Sequence, residues 1–514
     1  MTSQTSLGQK SVSLLAGAWL AALLNLIAGI VVARVLGPAA VGSLSFSLGL
    51  SGLAMAALVP GFAQAHMKRV AEGVDPGVCA STFGLIKVVL YVPLLLLIVL
   101  APGWRGFLFE TETLATVFAL LFAGRVLSSF SEVFTLILVA RERVIQQSMV
   151  LLAARGVRLL ATVLVLVWAP EITLIAATFL LEGLVELVGA MLAVRFWLGI
   201  RLRRPNVAAL ASYWSYARPL LISVPFGMFQ DSIDRVVVKQ WAGLTAAGYY
   251  HVARGFWELL GALNAYPAML LFTRMSALFG ARSPDRDREA RALFYSGMDK
   301  LLFVATPVGV TVWLAADPII VGFFGAAFRP AADPVHVFAL ANLVATVTNN
   351  YTQVLYAVEA HDRLVPIVPP RAALYFALLM VLVPAEPLGG WIPTLGLGAT
   401  GAALGRLFLL IFPAWKYVAW TREVAGVSFF TRSWLYVAGF AIGVASGSTV
   451  AWLMRWTGAP AALSAPVAVV TGLTAYSALL GALHPELSST LRYCLDLVSP
   501  ARISGFLRRE IGKS

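Results

Sequence analysis

SVSLLAGAWLAALLNLIAGIVVARVLGPAAVG, residues 11–42, decides the fold. Residues 11–33 carry no charged side chain. A hydrocarbon core of about 30 Å is crossed by about 20 apolar residues in a helix, so this run spans a bilayer. It is longer than the apolar region of a signal peptide and leads to Arg34, Gly37 and Pro38 rather than to a cleavage site. Gly37-Pro38 ends the helix, and a second apolar run opens at once. In lipid every backbone N–H and C=O must be satisfied within the segment, which leaves helices or closed barrels.

Working outward, the pattern repeats along the chain. About fourteen apolar segments fall at 11–35, 41–66, 78–101, 112–140, 145–168, 171–195, 213–240, 245–273, 291–315, 331–358, 364–384, 393–418, 431–455 and 460–482. No period-2 alternation of the kind a barrel requires is sustained. The 514 residues are 60% hydrophobic and 12% charged, with mean hydropathy +0.84, whereas soluble domains carry roughly a quarter charged residues. The fold class is an all-α polytopic membrane protein.

The net charge of +13 would raise the question of nucleic acid in a soluble chain. Here the basic residues sort by topology, and no nucleic-acid partner is expected. Lys10, Lys68 and Arg69, Arg141 and Arg143, Arg201 to Arg204, Arg282 to Arg291, Arg363, Arg422 and Arg432, and the tail from Arg492 to Lys513 fall on alternate connections. By the positive-inside rule that side is cytoplasmic, which places both termini inside a plasma membrane. The two cysteines, Cys79 and Cys494, imply neither a disulfide framework nor a metal cluster. After His484 the tail repeats Leu487, Leu491, Leu495 and Val498 at helical spacing, which suits an interfacial helix or a polar tail.

VVARVLGPAAVG at 31–42 has a counterpart in VVKQWAGLTAAG at 237–248. Aligning Gly37 with Gly243 also aligns Gly42 with Gly248. Six segments separate the copies, so both have the same orientation, and a parallel duplication puts a binding site where two lobes meet. The expected organisation is an N-terminal lobe over 1–204, a C-terminal lobe over 205–425, two further helices over 426–483 and a basic tail over 484–514.

SIDRVVV at 232–238 and GYYHVAR at 248–254 resemble the seventh and eighth helices of polysaccharide-transporter proteins. These form the branch of the multidrug/oligosaccharidyl-lipid/polysaccharide exporter superfamily that includes O-antigen flippases. RVLGPAAVG at 34–42, PVGV at 307–310, PIIVGFFG at 318–325 and LGATGAAL at 397–404 match in the same order. The resemblance spans roughly residues 10–480 and implies a flippase working by alternating access.

Ionisable groups at membrane depth, Glu258 among them, are expensive and tend to be functional. Arg125, Arg155, Arg235, Arg254 and Arg406 are the candidates for a cationic cavity. Asp231, Asp234, Asn25, Asn349 and Asn350 are the supporting polar groups. Each competes with a structural role. In an antiparallel hairpin, residues equidistant from the turn lie level, which pairs Arg155 with Glu182 across Ala169-Pro170. Arg158 with Glu182, or Arg155 with Glu186, fits nearly as well. The same reasoning sets Asp231 level with Arg254, with Asp234 and Arg235 nearer the outer end. The best partner of Arg125 on its own helix is Glu132, and Arg406 has no acid nearby in sequence. Lys87, Arg218, Lys239 and Lys300 are expected to snorkel to an interface.

Basic groups outnumber acidic ones at depth, and the planar fork of arginine suits phosphate. The resemblance implies a polyprenyl-linked oligosaccharide, joined through one or two phosphates, whose lipid stays in the bilayer. Membrane lipids, and glycosyltransferases or a polymerase, are the implied partners. Murein-precursor flippases carry cavity arginines in their first two helices. Here the first offers Asn25 and a terminal Arg34 and the second has no arginine at depth, which favours the polysaccharide branch. A cation-coupled multidrug exporter would be expected to present acids. A membrane enzyme usually has a large external loop, whereas the external connections at 102–112, 316–330 and 385–393 are short. A non-transporting subunit of a polysaccharide synthase is the other alternative. The sequence calls for no cofactor, no metal and no enzymatic residues.

Overall fold

The computed structural model describes residues 2–56, 61–100, 109–141, 143–218, 223–280, 286–387, 389, 393–426, 433–458 and 460–483. Among them every regular element is a helix. The first half holds α1 (Thr2–Ala56), α2 (Phe62–Ala71), α3 (Pro76–Leu100), α4 (Glu112–Ala140), α5 (Val144–Trp168), α6 (Ile172–Trp197) and α7 (Val207–Ala217). Then come α8 (Ser223–Gly280), α9 (Arg286–Leu314), α10 (Ala316–Phe324), α11 (Ala332–Ala357), α12 (His361–Leu364), α13 (Val368–Leu382) and α14 (Gly398–Ala425). Two last helices, α15 (Ser433–Trp456) and α16 (Ala461–Leu483), close the described chain. The tail 484–514, with Cys494 and His484, lies outside the described residues.

Eleven helices among the described residues are long and apolar enough to cross a membrane, and the chain is a multi-pass membrane protein. Those eleven reconcile with the fourteen apolar segments. α1 counts once but is two helices joined at Gly37. α8 stands outside the eleven, its first half carrying Asp231, Asp234, Arg235 and Lys239, and it holds two more helices joined at Gly243. Two apolar segments are broken where the sequence suggested one. The run 41–66 is interrupted at Gly61 (φ 80°), and the run 213–240 divides into α7 and the start of α8. Local capping fits the boundaries: the Thr111 hydroxyl accepts from Leu114 N at 3.2 Å at the start of α4.

The joints of α1 and α8 share one geometry. Gly37 sits at φ 77°, ψ −179° and Gly243 at φ 84°, ψ 173°, a region essentially closed to residues with a Cβ. Pro38 follows the first joint, where its fixed φ suits the opening turn of a helix. Past the joints, α1 and α8 pack on each other in a reciprocal way. A Cβ on Gly42 would strike the Leu244 carbonyl, and one on Gly248 would strike the Pro38 carbonyl. Leu244 and Pro38 each follow the joint glycine of their own helix. The two helices therefore meet backbone to backbone through equivalent residues.

The principal core is built around this crossing. It gathers Val32, Val41 and Leu44 from α1, Val117 and Leu121 from α4, Val237, Val238 and Ala253 from α8, and apolar residues of α10, α11, α13 and α14. A second core joins α9, α11, α15 and α16. A third lies under α2, α3, α4, α6 and α7. At the Gly37 end the Arg34 guanidinium donates to the carbonyls of Gly322 and Phe323, the latter at 2.6 Å. Those carbonyls belong to the last turn of α10, whose orphan acceptors and negative dipole end favour a cation.

Candidate functional site

A cavity of about 670 Å³ lies between α1, the α4–α6 group and both halves of α8. Its lining includes Arg125, Arg155, Arg158, Arg235 and Arg254, against Asp231 and Glu258 as the acids. The rest is largely apolar, from Leu26, Val32, Leu44, Phe179 and Trp257 among others. Four of the five expected arginines line this one space, and Arg406 stands immediately behind its wall. Asn25 and Asp231 also face it. Asn349 and Asn350 do not line it. Asn350 is buried in α11, its amide donating to Thr346 O at 2.6 Å, so its part in the expected supporting set is not seen.

On the α5–α6 side the hairpin reasoning holds in its broader form. Arg155 Nη1 lies 2.6 Å from Glu182 Oε1, and Arg158 Nη1 3.0 Å from Glu182 Oε2. Each guanidinium has its own carboxylate oxygen, and Arg158 also donates to Asn25 Oδ1 of α1. Glu186 accepts from the Ser131 hydroxyl at 2.8 Å instead of taking an arginine.

Arg125 does not pair with Glu132. That carboxylate is taken by Lys87 at 2.9 Å, and Lys87 also donates to Ser129 at 2.5 Å. Glu132 lies two turns along α4 from Arg125, whereas Lys87 meets it directly from α3. Lys87 is wholly buried, so the expected snorkelling does not occur; a cross-helix carboxylate has replaced the interface as its destination. Lys239 is also buried, but its partner at 2.7 Å is the exposed Glu110 in the 102–112 connection, so its ammonium does reach toward that end of the helix. Arg125 makes no hydrogen bond or ion pair among the described residues and faces both the cavity and a smaller neighbouring one of about 290 Å³.

On the α8 side the expected level pairing of Asp231 with Arg254 is replaced by a hub one turn closer to the joint. Four side-chain donors converge on Oδ2 of Asp234: Tyr250 at 2.6 Å, Arg254 at 2.6 Å, Arg406 at 2.7 Å and Tyr375 at 2.9 Å. The backbone N–H of Arg235 donates to Oδ1 at 2.8 Å. Arg406, left without an acid by the sequence, reaches from α14 to α8; it also meets Asp231 Oδ1 at 3.2 Å and Gln230 O at 2.8 Å. Arg254 finds Asp234 rather than Asp231 because its long side chain reaches a full turn along the hairpin. Asp231, 69% exposed, is left turned toward the cavity.

Glu258, one turn after Arg254, counts among the ionisable groups at depth in the sequence but not among the expected site residues. Arg235 Nη2 lies 3.1 Å and Arg254 Nε 3.2 Å from its Oε1. The spacing of Arg254 and Glu258 by four residues was the available signal. His251 also lines the cavity, with a buried Nδ1 that has no partner among the described residues. Around the site six arginines (125, 155, 158, 235, 254 and 406) face four carboxylates (Glu182, Asp231, Asp234 and Glu258), and the surplus is positive. No group of three or more His, Cys, Asp or Glu residues that could hold a metal occurs among the described residues.

Residues 7–279 match the family described as polysaccharide biosynthesis protein. The chain belongs to that family. No curated protein matches it. Among solved structures it is similar to the lipid II flippase MurJ in an inward closed conformation. The TM-score is 0.71 at 13% identity, over 93% of this chain and 99% of that one. An inward-facing multidrug resistance MATE family transporter of the MOP superfamily gives a TM-score of 0.60 at 13% identity, over 79% and 94%. A MOP superfamily transporter from Pyrococcus furiosus, whose binding pocket is described as of reverse polarity, gives 0.52 at 14%, over 81% and 95%. At such identities the likeness is one of fold. This member of the polysaccharide biosynthesis family thus has the all-helical fold of MOP transporters, with a positive surplus of charge around its central cavity.

Proposed function

We propose that this chain is a flippase that carries a polyprenyl phosphate- or diphosphate-linked oligosaccharide from the cytoplasmic to the outer leaflet by alternating access, for surface polysaccharide or glycan assembly. The observation that carries the reading is Arg125, a guanidinium with no ion-pair partner among the described residues, held in a cavity already rich in arginine. An unpaired cation at membrane depth is costly unless something else supplies the anion. A phosphoryl group fits, because its oxygens match the guanidinium fork. The family membership and the fold shared with a lipid II flippase support the same substrate class.

The two lobes are residues 1–204 and 205–425, with 426–483 as two added helices. The matched joints at Gly37 and Gly243 and their reciprocal packing support this duplication. With both termini cytoplasmic, the joints lie at the outer face of a plasma membrane. There the α1–α8 crossing and the Arg34 contact with α10 close the cavity to the outside. The headgroup enters the cavity while the polyprenyl tail remains in lipid, and the lobes rock about the crossing to expose the site outward. Glycosyltransferases supply the substrate and a polymerase consumes it.

Moving an anion outward runs with an inside-negative potential, worth about 2.3 kcal/mol per charge per 100 mV. A diphosphate gains up to about 4–5 kcal/mol on that scale, less whatever share the accompanying arginines cancel. The test is translocation of a fluorescent polyprenyl diphosphate oligosaccharide in proteoliposomes under an imposed potassium diffusion potential. Translocation should depend on the protein and rise with the potential directed as in the cell. No protein-dependent translocation of a lipid-linked glycan would refute the proposal.

A further inference from the structure

The cavity holds two Arg–Glu–Arg arrangements, and they are built differently. Glu182, its side chain 6% exposed, gives one oxygen to Arg155 and the other to Arg158. Glu258 is 51% exposed, and both Arg235 and Arg254 share its single Oε1. Its Oε2 accepts no hydrogen bond among the described residues, and Arg235 Nε is buried with no partner. The first arrangement is saturated; the second has donors to spare around one weakly held carboxylate.

The two arginines of the second arrangement are both largely buried, and one has an anchor of its own. Arg254 is anchored through Nη1 to the fully buried Asp234 at 2.6 Å. Arg235 is 11% exposed, and Glu258 is the one hydrogen-bond partner of its guanidinium among the described residues. Glu258 is the one exposed member of the group, on a side chain with three rotatable bonds. An anchored guanidinium beside a second one with an unused Nε–H suits a diphosphate, whose two phosphoryl groups keep four free oxygens between them, better than a carboxylate bound through one oxygen. The carboxylate end of both pairs is half exposed and can turn into the cavity, so displacing it takes less free energy than breaking a fully buried pair such as Arg254–Asp234.

We propose that Glu258 is a built-in occupant of the phosphate seat. In the empty protein its carboxylate holds the place between Arg235 and Arg254, and it swings out when a phosphoryl group enters. The inference rests on the flippase reading above and deepens it by assigning the seat and its gatekeeper. The internal carboxylate keeps two buried cations neutralised while the carrier returns empty. It also makes every anion compete for entry, which favours a diphosphate, with four free oxygens, over a carboxylate or chloride.

Inorganic pyrophosphate serves as the probe, its binding to the purified full chain in nanodiscs read by calorimetry. Glu258→Gln removes the competing charge and leaves the seat, and it should bind pyrophosphate about tenfold more tightly than wild type, because no ion pair then has to be broken on entry. Binding that is unchanged or weaker would show that Glu258 merely positions the arginines, and would overturn the inference while leaving the cationic cavity standing. Absence of binding by both proteins would instead overturn the cavity reading. A second measurement needs no variant. Carbodiimide labelling of Glu258 in the wild-type chain, read by mass spectrometry, should rise when pyrophosphate is added and the carboxylate is released. A fall or no change would count against displacement.

Discussion

Replacing Asp234 with Asn separates the structural charges of this protein from its functional ones. The carboxylate is fully buried and its Oδ2 accepts from Tyr250, Tyr375, Arg254 and Arg406. Asn keeps the shape but removes the charge, and it turns an amide donor toward a ring of donors. Two buried arginines then face a neutral group, Arg406 retaining the exposed Asp231 and the Gln230 carbonyl, and Arg254 only Glu258. Leaving a buried ionic partner uncompensated costs about 3–5 kcal/mol. Asp231→Asn is the matched control. It has one contact at 3.2 Å and is 69% exposed, so about 1 kcal/mol or less is expected. Thermal unfolding of both variants in the same detergent, scored by the loss of monodisperse protein, reads the difference. Asp234→Asn should melt far below wild type, and Asp231→Asn close to it. Equal shifts would refute the assignment of Asp234 as the hub joining α8, α13 and α14. So would a rescue of function in Asp234→Asn without loss of stability.

The remaining predictions concern the crossing of α1 and α8. Gly248→Ala places a methyl on the Pro38 carbonyl and should destabilise by about 1–3 kcal/mol, as overpacking does, whereas Gly84→Ala on α3 meets nothing within 4 Å and should stabilise by about 0.5–1 kcal/mol. The same melting assay checks both, and a neutral Gly248→Ala would mean that the helices part more easily than their backbone contact implies. Arg34→Ala removes the contact with the α10 carbonyls and should increase labelling of a cysteine placed at Asn25 by an external membrane-impermeant reagent; unchanged labelling would remove Arg34 from the outer closure.

Much of the fold was legible because lipid imposes a coarse rule on sequence: long uncharged runs broken by Gly and Pro can hardly be anything but helices. The Gly37–Gly243 correspondence was visible for a related reason, since only glycine adopts the joint geometry and only glycine permits the backbone approach at 42 and 248. The candidate arginines were legible as a set, because charge at depth is rare enough to stand out. Their partners were legible only where both lay on one hairpin, as with Arg155 and Glu182. Arg406 with Asp234, and Lys87 with Glu132, join helices whose adjacency no spacing along the chain encodes. Asp231 and Asp234 differ by one turn, and hairpin arithmetic that ignores the reach of an arginine side chain could not choose between them. Glu258 was legible as an acid at depth but not as a site residue, because an acid four residues from a base reads as an ordinary helical pair until the cavity beside it is seen.

Arg125 is the group on which the transport reading depends most directly. It has no ion pair to lose among the described residues, so Arg125→Ala should leave folding and the melting temperature of the protein intact. In proteoliposomes loaded with a fluorescent polyprenyl diphosphate oligosaccharide, the variant should lose translocation while still inserting as the wild type does. Wild-type translocation by a stable Arg125→Ala protein would contradict the cationic-cavity mechanism.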